Sequence, residues 1–163
     1  MSKKILVLSD SHGKDANIKR VLRKEGPVDM CLHLGDAQCP AEHMEKLIGC
    51  PVFMIAGNCD LFCSLPMKLF ITLGKHKAMM VHGHQYFVSL GTDMLKEDAR
   101  ENGCDIVLFG HTHVPVDDVT DPDVLVFNPG SITYPRQSGA EPSYMVITLS
   151  EDGALREEVR FLP

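Results

Sequence analysis

The side chains best suited to chemistry in this chain are histidines and carboxylates, and they gather in five short clusters. The clusters are Asp10-Ser11-His12, Gly35-Asp36, Gly57-Asn58-Cys59-Asp60, His82-Gly83-His84 and Gly110-His111-Thr112-His113. Four of the eight histidines lie in two His-x-His pairs, a pattern that is hard to explain without a metal ion. Imidazole, carboxylate and amide oxygen are all metal ligands. We therefore predict a metal site, and one for two ions.

Almost every cluster directly follows an apolar run that is typical of a buried strand. The predicted strands before the clusters are Ile5–Leu8, Val28–Leu34, Val52–Ala56, Lys77–Val81 and Ile106–Phe109. In α/β proteins, ligands bind in the crevice outside the carboxyl ends of the strands. Five loops from distant parts of the chain are therefore expected to converge on one pocket.

The remaining periodicity predicts helices and further strands around this pocket. Helices are expected at Gly13–Lys24, Pro40–Ile48 and Thr92–Asn102, the last with Thr92 as its N-cap. The opening βαβαβ pattern indicates a parallel sheet. A hairpin follows, with Lys68–Leu73 and Lys77–Val81 joined at Gly74-Lys75, and four more strands are expected at Val114–Val119, Val124–Phe127, Tyr144–Leu149 and Leu155–Phe161. The pattern favours an α/β domain, residues 1–163, of two mixed sheets packed face to face with helices outside.

Composition excludes several classes of function. The chain has 163 residues and a formal net charge of −6, which disfavours a broad electrostatic grip on nucleic acid or on an anionic membrane. A locally positive site, and a nucleic acid as substrate, stay open. The first apolar run is too short for a signal peptide, and no stretch approaches the roughly 20 apolar residues of a membrane span. We therefore expect a cytoplasmic protein.

The six cysteines point to reduced thiols rather than to a disulfide framework. They occupy positions 31, 39, 50, 59, 63 and 104, and without a secretory signal they are expected to stay reduced. No CxxC pair exists, which argues against a structural zinc knuckle. Cys59 differs from the others because it lies inside a ligand cluster.

Each cluster taken alone has a commoner explanation. A D-x-H triplet is more often a turn with a capping Asp, Gly-Asp an ordinary helix start, and Asn-Cys-Asp an Asx turn. We expect His43, His76 and His33 to be structural or surface histidines. The prediction of a metal site rests on the ordered combination.

In that order, D-x-H, G-D, G-N-C-D, H and G-H-x-H resemble the signature of the calcineurin-like metallophosphoesterase superfamily. The resemblance is to its small bacterial and archaeal phosphodiesterases, the branch that includes the retromer subunit Vps29. It covers essentially the whole chain, and Asn128-Pro129-Gly130-Ser131 resembles the N-P-G-S turn of this branch. The resemblance implies a four-layer α/β/β/α sandwich.

The resemblance also implies a set of metal ligands. Asp10, His12 and His113 would hold a first ion, Asp36 would bridge, and Asn58, His82 and His111 would hold a second. Imidazole mixed with oxygen donors suits Mn²⁺, Ni²⁺, Fe²⁺ or Zn²⁺ better than Ca²⁺. Among these, Mn²⁺ is the ion that we expect first.

The implied activity is hydrolysis of a phosphate ester, and a small-molecule phosphodiester is the expected substrate. A metal-bridging hydroxide would attack phosphorus in line. Asp36, Asn58 and His84 are the candidate catalytic residues. Many relatives carry a histidine where this chain has Cys59, and that histidine protonates the leaving group. A thiol is a poor substitute, so we expect modest turnover that favours aryl phosphodiesters.

Two roles within the site and one alternative function stay open. His84 would either donate a proton to the leaving group, or support a ligand or contact substrate; Asp60 is expected to hydrogen-bond within the site. The alternative is a protein-binding scaffold like Vps29, with little or no catalysis. All seven ligand positions carry competent donors, which favours an enzyme. Leu61-Phe62 and Leu65-Pro66-Met67 are candidates for an oligomer surface or a substrate wall, and a homo-oligomer would most commonly be a dimer.

Overall fold

A computed structural model describes residues 1–61 and 63–163. The ten strands are β1 (Lys3–Leu8), β2 (Met30–His33), β3 (Val52–Met54), β4 (Lys68–Leu73), β5 (His76–Val81), β6 (Ile106–Leu108), β7 (Val116–Asp118), β8 (Leu125–Asn128), β9 (Ser143–Leu149) and β10 (Leu155–Phe161). The three α-helices are α1 (Ala16–Glu25), α2 (Ala41–Ile48) and α3 (Asp93–Glu101). A short 3₁₀ turn at His84–Tyr86 was not predicted.

The strands form two mixed five-stranded sheets. The first has the order β10-β9-β1-β2-β3 and the second β4-β5-β6-β8-β7. Strands β1, β2 and β3 are parallel, as the opening βαβαβ pattern predicted. In the second sheet, β5, β6 and β8 are parallel to one another, and β4 and β7 pair antiparallel at its two edges. The last hairpin, β9–β10, returns to the first sheet and pairs with β1.

Alternating side chains divide the core into three layers of packing. Ile5 and Val7 of β1 lie between the two sheets with Met80 and Leu108. The residues between them, such as Leu6, face the other way. There α1 and α2 cover the first sheet, while α3 covers the second with a separate cluster that includes Leu95 and Ala99. This arrangement is the predicted α/β/β/α sandwich.

Several elements begin or end a few residues from their predicted positions. Helix α1 begins at Ala16 rather than Gly13, because His12 and Gly13 have positive φ angles of 50° and 74° that no α-helix accommodates. Thr92 precedes α3 as predicted, but its side chain makes no capping hydrogen bond. All six cysteines are free. Across residues 1–61 and 63–163, the helices are too short or too polar to cross a bilayer.

Candidate metal centre

The loops after β1, β2, β3, β5 and β6 meet at one end of the sandwich. They carry all eight of the residues predicted for the site: Asp10, His12, Asp36, Asn58, His82, His84, His111 and His113. Two groups of possible ligand atoms share Asp10, one with His12 and His113 and the other with Asp36 and His82. Within each group, the atoms lie within 4.8 Å of one another. The first sheet supplies the carboxylates, and the second supplies four of the five imidazoles, those of His82, His84, His111 and His113.

The backbone is held in an uncommon conformation at most of these positions. Of the eight described non-glycine residues with positive φ, five are predicted ligands: Asp10, His12, Asp36, His111 and His113. A left-handed conformation costs an ordinary residue about 1–2 kcal/mol. It persists here because the loops bond to one another, through Asp10 N–H to Gly35 O at 3.0 Å and His12 N–H to Asp36 O at 2.9 Å. Strain at several adjacent positions is typical of functional sites.

Two glycines allow the loops to approach each other. A Cβ atom on Gly57 would lie 2.1 Å from Asp36 Oδ1, and one on Gly110 would lie 2.1 Å from Ser9 Oγ. Both distances are far inside van der Waals contact. The glycine in the G-D, G-N and G-H motifs is therefore required by packing between loops, and Gly110 needs no positive φ to fulfil that role.

The three most central imidazoles are oriented by hydrogen bonds on their outer nitrogen. His82 Nδ1 lies 2.7 Å from Leu34 O, and His113 Nδ1 lies 2.7 Å from Tyr134 O. A carbonyl oxygen only accepts, so each Nδ1 must carry the proton. His12 Nδ1 lies 2.9 Å from Gln38 Oε1 in the same way. In the neutral imidazole, each Nε2 then presents a lone pair to the centre.

These lone pairs face carboxylate oxygens instead of donors. Asp10 Oδ1 lies 3.1 Å from His113 Nε2, 3.7 Å from His82 Nε2 and 3.8 Å from His12 Nε2. Within the described residues, Asp10 Oδ1, His12 Nε2 and His82 Nε2 are buried without a hydrogen-bond partner. Buried acceptors that face one another are unfavourable unless a cation lies between them. The donor set therefore fits a divalent metal ion.

A second carboxylate completes the negative field of the centre. Asp36 Oδ2 lies 3.2 Å from His82 Nε2, without the alignment of a hydrogen bond. Burial alone raises the pKa of Asp36, but the nearby His82 ring and the hydrogen bond from the Cys59 N–H outweigh it and hold that pKa well below its ordinary value. Burial conversely lowers the His82 pKa, and Asp36 and Asp10 raise it. Both carboxylates therefore keep their charge and attract a cation.

The other predicted ligands lie at the open side of the centre. Asn58 Oδ1 lies 3.1 Å from His111 Nδ1. The His111 ring centroid is 5.1 Å from that of His82 and 6.0 Å from that of His84. His84 Nδ1 is buried without a hydrogen-bond partner among the described residues. The structure therefore gathers these three side chains beside His82.

Some residues that support the site were foreseen and others were not. Asp60 accepts hydrogen bonds from the backbone N–H groups of Asp36, Gly57 and Gln38 at 2.7–2.8 Å, in the supporting role expected of it. Ser9 Oγ donates to Asp10 Oδ2, and Ser131 Oγ donates to Asp10 O. Ser131 lies in the N-P-G-S turn, which was a usable signal. Ser9 and Gln38 had none.

The histidines outside the clusters are structural, as expected. His43 Nε2 lies 2.7 Å from Asp15 Oδ2, and His76 Nδ1 lies 2.7 Å from Asp105 Oδ2. His33 is fully buried, with Nε2 2.9 Å from Ser11 Oγ. Burial lowers its pKa to about 4 despite nearby carboxylates that raise it, so His33 is neutral at pH 7.

Two cavities flank the centre. One of about 650 Å³ adjoins Cys59 and Asp60 and is lined also by Leu61, Cys63 and Leu65. Two of the predicted apolar stretches therefore contribute to a cavity wall, while Phe62 lies outside the described residues. The other cavity, of about 630 Å³, is lined by residues that include His12, His113, Tyr134 and Arg136. Two spaces that are large enough for organic groups therefore adjoin the candidate ligands.

Known proteins resemble this chain over nearly its full length. The sequence profile of the calcineurin-like phosphoesterase superfamily domain matches residues 4–152. The probable metallophosphoesterase YsnB of Bacillus subtilis is 32% identical, with 92% of this chain and 86% of YsnB covered. The phosphodiesterase YfcE of Escherichia coli is 27% identical, with 86% and 84% covered.

Solved structures agree with the fold. A predicted phosphoesterase from Streptococcus pneumoniae superimposes with a TM-score of 0.78 at 28% identity, over 98% of this chain and 99% of that one. Vacuolar protein sorting 29 from Cryptosporidium parvum gives a TM-score of 0.75 at 20% identity, over 99% and 98%. The latter likeness is one of fold alone. With its ordered motifs, its sandwich fold and a profile match over most of its length, this chain belongs to the calcineurin-like phosphoesterase superfamily.

Proposed function

We propose that this protein hydrolyses phosphodiesters at a centre of two divalent metal ions. The observation that supports it most directly is the group of buried acceptors, Asp10 Oδ1, His12 Nε2 and His82 Nε2, which face one another without hydrogen-bond partners among the described residues. A polypeptide gains nothing from this arrangement unless a cation binds there. Phosphodiesterase YfcE, a relative in sequence, supports the reaction class.

The ligands divide between two positions. Asp10, His12 and His113 would hold one ion, Asn58, His82 and His111 would hold the other, and Asp36 would serve both; its presence in groups with His12 and with His82 supports that role. We propose Mn²⁺ as the activating ion, with Fe²⁺, Ni²⁺ and Zn²⁺ as alternatives that the same donors accept. When bound, such ions lower the pKa of water and neutralise charge that develops on phosphoryl oxygens.

The protein's own residues position these groups and the substrate. Leu34 O and Tyr134 O fix the tautomers of His82 and His113, so both present Nε2 to the centre before any ligand arrives. Asp60 holds the loops of Asp36 and Gly57 together through backbone N–H groups. This preorganisation means that no loop has to rearrange during the reaction.

A diester suits the surroundings better than a monoester. A phosphodiester carries two organic groups, and two cavities adjoin the centre, one lined by Cys59 and Asp60 and the other by His12 and His113. The Tyr134 ring, 44% exposed and 5.4 Å from the His12 ring, lines the second cavity. We propose a small-molecule phosphodiester as substrate; the end of a nucleic acid presents the same chemistry.

The test compares bis-p-nitrophenyl phosphate with p-nitrophenyl phosphate. Chelator-treated protein is supplied in turn with Mn²⁺, Ni²⁺, Zn²⁺ and Mg²⁺, with His111→Ala as the inactive variant. His43→Ala is the matched control, because His43 contacts Asp15 away from the centre. Metal-restored hydrolysis of the diester by the native protein and His43→Ala supports the proposal. Folded protein that hydrolyses neither ester with any of the metals would contradict the proposal and favour the alternative function of a protein-binding scaffold.

The thiol at position 59 leads to a prediction about the relative rates of aryl and alkyl diester hydrolysis. Cys59 is exposed, and slight burial together with the charge of Asp36 raises its pKa above the ordinary thiol value, so it is not a strong proton donor at pH 7. We expect aryl diesters to react much faster than alkyl diesters. If His84 donates the proton, His84→Ala slows alkyl diesters more than aryl diesters. Equal losses on both would assign His84 to substrate contact.

A further inference from the structure

Cys59 lies among possible metal ligands, although the seven-ligand set does not include it. Its Sγ atom, a nitrogen of His12 and a carboxylate oxygen of Asp36 all lie within 4.8 Å of one another. The loop is fixed there, because the Cys59 N–H donates to Asp36 Oδ1 at 2.8 Å. These three donors form a third group beside the two that share Asp10.

We propose that Cys59 is an additional and ion-selective metal ligand on the His12 side of the centre. Its thiolate coordinates Zn²⁺ or Fe²⁺ there, but it does not coordinate Mn²⁺ or Mg²⁺ when these ions occupy the centre. The inference rests on the proposed dinuclear centre and deepens it. Thiolate is a soft ligand that prefers zinc and iron, whereas manganese and magnesium prefer carboxylate, carbonyl and water. One sulfur at the edge of an oxygen and nitrogen site therefore discriminates between ions.

The neighbours of the thiol leave it available. Its side-chain contact within the described residues is a weak hydrogen bond from Asn58 Nδ2 to Sγ at 3.6 Å. His12 Nε2 is buried without a hydrogen-bond partner among the described residues and lies 3.9 Å from Asp36 Oδ2, and Asp36 is 2% exposed. Cys59 itself is exposed, so an ion can reach the group from solvent. An imidazole nitrogen without a partner, a buried carboxylate and a free thiol within 4.8 Å of one another form a further ligand position.

The binding step is a simple exchange at sulfur. The S–H bond breaks heterolytically, the electron pair forms a bond to the metal ion, and the proton passes to solvent. Neither the sulfur nor the metal ion changes its oxidation state, and no further reactant is needed. Zinc binding to the native protein therefore releases one more proton than zinc binding to a Cys59→Ser variant, whereas manganese binding releases equal numbers from both.

Cys63 provides a matched control. It is the other exposed cysteine of this loop region and lines the same cavity as Cys59, but it belongs to none of the three groups of possible ligands among the described residues. Cys63→Ser therefore removes a thiol of equal accessibility without touching the centre.

The experiment is X-ray absorption on zinc-loaded full-length protein, with metal affinities from competition titration. The native protein and Cys63→Ser should show zinc–sulfur scattering at about 2.3 Å beside nitrogen and oxygen at about 2.0–2.1 Å, and Cys59→Ser should lose the sulfur shell. Zinc affinity should fall at least about 10-fold in Cys59→Ser, with manganese affinity nearly unchanged.

Three results would overturn the inference. Zinc with a nitrogen and oxygen shell but no sulfur in the native protein refutes the role of Cys59 and leaves the dinuclear centre standing. Sulfur scattering that survives in Cys59→Ser, or that also vanishes in Cys63→Ser, assigns the sulfur to an adventitious thiol site. Protein that takes up neither zinc nor manganese refutes both the inference and the proposed function.

Discussion

Two groups of buried carboxylates in this molecule differ in what faces them. Glu25, at the end of α1, has a side chain that is only 4% exposed and accepts hydrogen bonds from Tyr144, Arg160 and Lys4 at 2.5–2.9 Å. Asp10 is fully buried and faces imidazole nitrogens that are themselves acceptors when neutral. The first carboxylate finds its positive partners within the chain, whereas the second needs a cation from outside it.

The difference teaches how to recognise a functional charge cluster. Burial of a carboxylate does not distinguish the two groups, and neither does a depressed pKa, since the pKa values of Glu25 and Asp10 both lie below the ordinary range. The distinguishing property is complementarity. A structural cluster is satisfied by its own donors, and a binding cluster is left unsatisfied until its ligand arrives.

Asp10→Asn is the substitution expected to have the largest effect. Loss of this carboxylate should lower kcat/KM at least about 10³-fold, because the shape is kept but one metal ligand and one charge are removed. The new amide can donate to His113 Nε2 at the place of Asp10 Oδ1, 3.1 Å away. Unfolding in the presence of a chelator should therefore occur at the same or a higher temperature than in the native protein. A clearly lower unfolding temperature of Asp10→Asn than of the native protein, both in the presence of chelator, would show that Asp10 stabilises the fold as Glu25 does.

Metal binding should stabilise one cluster and not the other. At a free Mn²⁺ concentration of 100 times Kd, the free energy of unfolding should rise by about 2.7 kcal/mol, or about 5–10 °C in Tm for a chain of this size. Differential scanning calorimetry should find the same increment in Glu25→Gln and none in Asp10→Asn. An equal increment in Asp10→Asn would place the ion elsewhere.

Glu25→Gln should have the opposite signature, with stability reduced and activity retained. Burial by itself raises the Glu25 pKa, but hydrogen bonds from Tyr144, Arg160 and Lys4 outweigh it and bring the pKa to about 2. A shift of this size corresponds to about 3 kcal/mol. We expect a loss of about 2 kcal/mol on urea unfolding, because Lys4 and Arg160 are about one-third exposed and solvent screens their charges.

The pH dependence of the same residue has a definite sign. Since the folded pKa lies below the unfolded value near 4.5, the contribution of Glu25 is fully present above that value. It disappears as the pH falls from about 4.5 toward about 2. The difference in stability between native protein and Glu25→Gln should therefore shrink across this range. Glu158→Gln, which removes an exposed partner of Arg160, is the control and should change little.

The smallest effect concerns backbone strain at the metal centre. His113 has a φ of 60°, so His113→Gly should be about 1 kcal/mol more stable than His113→Ala in chelated protein, although both remove the imidazole. His76 lies in β5 without a positive φ, and there the order should reverse, with glycine less stable than alanine. The same order at both positions would argue against stored strain at the centre.

The sequence predicted the ligands because each lies beside a local pattern. An apolar strand followed by a polar cluster predicts Asp10, Asp36 and His82 at the carboxyl ends of their strands, which meet at one end of the sandwich. The orientation of His82 by Leu34 O could not be predicted, since every residue carries a carbonyl group and none is marked. Nor did periodicity identify Glu25 as buried, because its donors Tyr144 and Arg160 are 119 and 135 residues away.

Sheet pairing was the least predictable part of the fold for the same reason. The strands β9 and β10 were predicted as short strand-like segments, but the place of β9 beside β1 depends on contacts between residues about 140 positions apart, such as Lys4 with Thr148. The mixed character of the second sheet depends likewise on parallel pairing of β5 with β6 and of β6 with β8, strands that are separated by long stretches of chain. Local sequence patterns specify where the strands lie, whereas the packing of the whole core determines which strands pair.

The position of β1 between β2 and β9 has a consequence for synthesis of the chain. Because β2 soon follows it in the chain, β1 can pair with β2 early in synthesis, but its other edge stays open until Ser143–Leu149 has been made. Such long-range pairing makes folding slow and leaves an aggregation-prone edge exposed meanwhile. Ser131 likewise reaches Asp10 late, so metal uptake should follow synthesis of the segment that carries Ser131 and report that this segment has joined the site.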